Sequence, residues 1–82
     1  MLLVFTIDIG TGKTDIVPLS ESDSVLYLKR KISFIQNCPF SDIDIVFGGS
    51  SLPDDSVLST KSACGELIVY WVDKRRANEI VL

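Results

Sequence analysis

Apolar side chains change their spacing several times along this chain, and each change marks a change of backbone. Leu3, Phe5, Ile7 and Ile9 alternate with Val4, Thr6 and Asp8, the two-residue period of a half-buried strand. Thr11-Gly12-Lys13-Thr14 interrupts the alternation as a turn, and Val17 and Leu19 resume it, so residues 2–20 are expected to form a β-hairpin. Pro18 lies in the second arm; without an N–H to donate, it fits an edge strand better than a central one. The spacing then switches. Val25, Leu28, Ile32 and Ile35 recur at three- and four-residue steps, which makes one stripe of an amphipathic helix. Ser24 or Asp23 offers the N-cap oxygen, Asn37 a left-handed stop, and Pro39 bars continuation. Lys29, Arg30 and Lys31 come late enough to suit the helix dipole.

Alternation returns over residues 41–47, with Ile43 and Ile45 expected inward and Asp42, Asp44 and Val46 outward. Gly48-Gly49 supplies the positive φ angles of a tight turn. Leu52 begins a short return, and Pro53-Asp54-Asp55 opens an irregular connection anchored by Val57 and Leu58. Residues 67–72 are all apolar, as suits a strand buried between neighbours. If Leu67, Val69 and Trp71 face inward, Ile68 and Tyr70 face outward beside Val46. A final strand parallel to the first, with the helix across one face, would bury every stripe. The expected fold class is therefore α+β: a mixed sheet with one main helix packed on one side. Residues 1–73 are expected to form the domain and residues 74–82 a C-terminal tail or the start of a linker. Lys74, Arg75 and Arg76 read as a solvated basic run.

Composition narrows the chemistry. Eighty-two residues, 46% of them apolar, suffice for one small globular domain. A net charge of −3 provides no basic field, so neither nucleic acid nor a membrane surface is an expected partner. Asp8 ends the opening apolar run before a signal-peptide core or a membrane span could form, which points to the cytoplasm or nucleus. Cys38 and Cys64 read as small hydrophobes in a reducing compartment. The chain has no histidine, and so lacks the commonest general base and the commonest neutral metal ligand. No catalytic residue, metal or cofactor is expected, and the chain does not read as an enzyme. Gly10-Thr11-Gly12-Lys13-Thr14 imitates the end of a phosphate-binding loop. Ile7 stands where that motif needs its first glycine, and strand-like Asp15-Ile16-Val17-Pro18 follows where it needs a helix.

With its elements in this order, the chain resembles the ubiquitin-like domain family from Leu3 to Val72. Thr11-Gly12-Lys13-Thr14 matches the family's first-hairpin T-G-K-T. Ser22-Asp23-Ser24-Val25, then Leu28-Lys29 and Ile32, resemble its helix start. Pro39, Ile45-Val46-Phe47-Gly48-Gly49 and Leu52 resemble its helix exit and L-I-F-A-G turn. The resemblance implies a ubiquitin-like β-grasp roll and a partly buried pair between Lys29 and Asp54. It also implies a protein-binding face centred on Val46, Ile68 and Tyr70, with Gly49 letting a partner helix approach and Asp44 on the rim. Asp44 and Ser50 stand where ubiquitin carries an arginine and a lysine, which implies different partners. The leucine of ubiquitin's first turn is replaced near Ile9-Gly10, and Asp15 occupies a position where an apolar strand residue is expected. Lys74-Arg75-Arg76-Ala77-Asn78 runs where covalent modifiers carry their Gly-Gly tail, so conjugation is not implied.

The reading is thus a non-conjugated, monomeric interaction module at the front of a larger eukaryotic protein. It would bind proteasomal receptors or ubiquitin-binding helices as protein partners. Two alternatives stand beside it: a structural or adaptor domain whose patch packs within its own protein or a stable complex, and a modifier with an unusual C-terminus.

Overall fold

The computed structural model describes residues 1–76. Strand β1 (Leu2–Asp8) turns into β2 (Thr14–Leu19), helix α1 (Val25–Gln36) follows, and β3 (Ile43–Phe47), β4 (Ser50–Ser51) and β5 (Glu66–Asp73) complete the order. The strands lie in the order β2-β1-β5-β3-β4, with β5 parallel to β1 and every other neighbour antiparallel. Helix α1 packs across one face. The fold is α+β, a five-stranded mixed sheet with one main helix, compatible with a β-grasp roll.

The local signals act as expected at most junctions. Pro18 sits on β2, an edge strand. The Ser24 hydroxyl accepts the Tyr27 N–H at 3.4 Å and starts α1. Asn37 closes the helix in the left-handed region, at φ 52° and ψ 49°. Gly48 and Gly49 make the β3–β4 turn at φ 61° and 82°, where a side chain would be strained. The irregular connection is strapped to the start of α1, because Val25 and Leu26 donate their N–H groups to the carbonyls of Ser56 and Asp54. Lys29 adds an ion pair to Asp54 at 2.6 Å, with the lysine largely covered and the aspartate half exposed.

Leu28, Ile32, Ile43, Ile45, Leu58, Val4, Val25, Val69 and Trp71 fill the space between helix and sheet. Four expectations change here. In β1 the alternation is real, but the buried members are Leu2, Val4, Thr6 and Asp8; Leu3, Phe5 and Ile7 face the other way. Ile35 lies beside the helical stripe and is half exposed, and Cys38, just past the helix end, takes the next core position. Strand β5 is central, yet its burial alternates, because α1 covers only one face of the sheet. Lys29, Arg30 and Lys31 occupy middle turns, so the last turn of α1 has no cation.

Asp15, the misplaced carboxylate of the sequence reading, has a partner. Gln36 at the end of α1 donates its Nε2 to Asp15 Oδ2 at 2.5 Å, joining helix and hairpin. A polar bond here replaces the expected apolar contact.

Candidate protein-interaction face

The register of the sheet decides which side chains share the face opposite α1. Val46 stands directly opposite Tyr70 in the β3–β5 ladder, and directly opposed residues point to the same side. Ile68 lies two residues before Tyr70 on β5 and shares that side. Tyr70 is 44% exposed and Ile68 58%. The turn brings Gly49 to the end of β3, with open space where a side chain would stand. Asp44, opposite Val72, accepts a hydrogen bond from Ser51 Oγ at 2.7 Å and sits at the rim. Val46, Gly49, Ile68, Tyr70 and Asp44 are thus brought to one side of the sheet. Lys29 and Asp54 lie apart from it, at the other end of α1 and its strap.

The apolar face is wider than the sequence suggested. Phe5 pairs with Ile68 and Ile7 with Tyr70, so β1 presents both on the same side. Ile16 on β2, paired with Phe5, adds a side chain that is 57% exposed. Ile9 continues the outward series, is half exposed, and is held by its N–H to the Trp71 carbonyl at 3.1 Å. That puts an apolar group at the first turn, near the position where the leucine of the resemblance is replaced. Beside Ile68, a shallow cleft of about 470 Å³ is bounded by Phe5, Phe47, Cys64, Glu66, Leu67 and Ile68. The only charged outward positions on the paired strands β1, β3 and β5 are Asp44 and Glu66, both acidic.

Helix α1 carries a second exposed surface. Opposite its buried stripe stand Tyr27, Arg30, Lys31 and Phe34, and Phe34 is 90% exposed. The Arg30 guanidinium lies 5.6 Å from the Phe40 ring centre and the Lys31 ammonium 5.2 Å from that of Tyr27. This surface lies off the buried stripe that marks the helix in the sequence. Its signal was two aromatic rings, Tyr27 and Phe34, lying off that stripe.

The end of the sheet is held by charge. Asp8 is nearly buried and binds the Arg76 guanidinium at 2.9 Å. Asp73, equally covered, accepts from the Arg75 N–H at 3.0 Å, from its Nε at 3.1 Å and from its Nη2 at 3.0 Å. Arg76 also lies over the Trp71 ring, 5.8 Å from its centre. Arg75 and Arg76 are therefore fastened to the sheet, a correction to their reading as a solvated run. Their partners are acids that the chain's own strands leave under cover. Residues 77–82, the rest of the expected tail, lie outside the described residues.

Hydrogen bonds from Arg75 hold the Asp73 carboxyl down at about 2, against the opposing effect of burial. A carboxyl with a depressed folded-state pKa stabilises the fold above its unfolded value of 3.8, and that contribution disappears as pH falls through about 2. Stability in urea, followed by the fluorescence of the single tryptophan, should fall between those two pH values; in Asp73→Asn the fall should be shallower. Burial, followed by the nearby charge of Asp73, pushes the Cys38 thiol up, which keeps it a packing group.

No chemical centre emerges at the hairpin turn. Asp8 Oδ1 accepts the Gly10 N–H at 2.9 Å, so a carboxylate already takes an amide that a phosphate would need. Among the described residues, no group of three or more cysteine or acidic side chains is placed to hold a metal ion, and no helix is long and apolar enough to cross a membrane. The family models and the curated proteins compared with this chain return no match.

Proposed function

We propose that this chain is a ubiquitin-like interaction module that is not conjugated. It docks proteins of the ubiquitin–proteasome pathway on the uncovered face of its sheet. One observation carries the reading: the exposed Ile68 and Tyr70 share one side of the sheet with a partly buried Val46 directly opposite Tyr70, beside a bare glycine turn. Grouped apolar exposure of this kind marks interaction sites, whereas scattered exposed residues need no explanation. A partner helix would lay an apolar stripe across β3 and β5, with its backbone close to Gly49. The acidic rim of Asp44 and Glu66 favours partners whose flanks are basic. Contacts of this size give weak binding, since the apolar gain only modestly exceeds the cost of association.

The spread of the apolar face onto Phe5, Ile7 and Ile16 favours a second reading, in which the face is covered permanently inside a larger protein or a stable complex. Val46→Asp tests the first. It places a charge at the centre of the face without touching the core. Affinity for a ubiquitin-binding helix or a proteasomal receptor domain, measured by calorimetry, should fall at least about tenfold, equivalent to roughly 1.4 kcal/mol. Unchanged affinity with an intact fold would count against docking on this face.

A further inference from the structure

The two exposed surfaces of this domain are complementary to one another, and they lie on opposite sides. The sheet face is apolar with acidic outward positions at Asp44 and Glu66, and it contains the cleft beside Ile68. The outer face of α1 is aromatic and basic, with Phe34 standing almost wholly in solvent between Arg30 and Lys31. Among the described residues, none of Arg30, Lys31, Asp44 and Glu66 is in a salt bridge. One face offers a hole and anions; the other offers a projecting ring and cations.

We propose that the domain associates with further copies of itself head to tail, the outer face of α1 on one copy seated on the sheet face of the next. Phe34 enters the cleft bounded by Phe5, Phe47, Leu67 and Ile68, and Arg30 and Lys31 lie on the side of Glu66, which borders the same cleft. Because α1 packs on the inner side of the sheet, its outer surface and the sheet's outer surface point in opposite directions. Two such faces form a heterologous contact, which extends into an open series unless its rotation closes a ring. A symmetric sheet-on-sheet pair is disfavoured, since it would bring the acids of both copies together without cations. The association is weak, micromolar or poorer, because each contact is small. It uses the same sheet face as partner docking and needs no partner, so the two readings fail separately.

Sedimentation of the 82-residue chain at rising concentration, up to about 1 mM, should show a mass that keeps climbing past the dimer. Phe34→Asp and Ile68→Asp each remove one exposed side chain and should each leave a folded monomer, as checked by circular dichroism. Mixed together they should form a one-to-one dimer and stop, because one intact helix face and one intact sheet face remain. Phe34→Asp should keep partner binding, which Ile68→Asp should lose. Arg30→Glu with Lys31→Glu should weaken the contact at least about tenfold, and mixing with Glu66→Lys should restore it. A native chain that remains monomeric would overturn the proposal. So would dimers formed by Phe34→Asp alone, which would mean sheet-on-sheet pairing. A native monomer that associates only once residues 77–82 are removed would overturn it in favour of that segment as the occupant.

Discussion

A chain cut after Asp73 is expected to lose a large part of its stability at neutral pH. The cut removes Arg75 and Arg76 and leaves Asp8 and Asp73, both nearly buried, without the cations that neutralise them. Removing one partner of a buried ion pair costs about 3–5 kcal/mol, because the remaining charge stays desolvated. Half of the Arg75 side chain is in solvent, which discounts its share, whereas Arg76 is mostly covered and rests on Trp71. The new terminal carboxylate would add a further negative charge beside Asp73. Loss of the Asp8–Arg76 pair alone should cost roughly 3 kcal/mol, a large part of the total stability of a domain this size. Urea unfolding of chains ending at Asp73 and at Arg76 measures the difference directly. Asp8→Asn with Asp73→Asn should recover part of it in the shorter chain. A difference below about 1 kcal/mol would mean that the arginines act only as surface charges.

Trp71→Ala is the second large effect. The side chain is 2% exposed, in the middle strand of the sheet, with β1 on one side and β3 on the other. It is the largest fully buried residue, and it also supports Arg76. Truncating a buried tryptophan removes its transfer free energy and leaves a cavity, at about 3–5 kcal/mol. The melting temperature should fall by roughly 15 °C or more. Tyr70→Ala, one residue earlier and facing outward, is the control, and should move it by only a few degrees. Equal effects from the two substitutions would contradict the inward–outward assignment of β5.

Much of this architecture is legible in the residues, and the failures have identifiable causes. Ile43 and Ile45 alternate with Asp42 and Asp44, so only one register of β3 buries apolar groups and the outward position of Val46 follows. In β1, Leu2 and Val4 compete with Leu3 and Phe5, so alternation alone does not choose the buried side. The choice is made by pairing with β5, whose Leu67 and Val69 face the helix. That ambiguity hid Phe5, Ile7 and Ile16 from the candidate face. The roles of Arg75 and Arg76 were hidden for a different reason. Asp8 and Arg76 are 68 positions apart, and only the parallel β1–β5 pairing brings strand ends that distant to the same edge. A basic run looks solvated until the buried acids it neutralises are known. Asp15 shows the same limit, since its partner Gln36 belongs to another element.

The most direct test of the docking account is an NMR titration of the isotope-labelled domain with a ubiquitin-binding helix and, separately, with a proteasomal receptor domain. The account predicts shifts centred on Val46, Gly49, Ile68 and Tyr70, extending to Phe5 and Ile7, with Lys29 and Asp54 unmoved. A folded spectrum that stays unchanged with both partners, or shifts confined to α1, would contradict it.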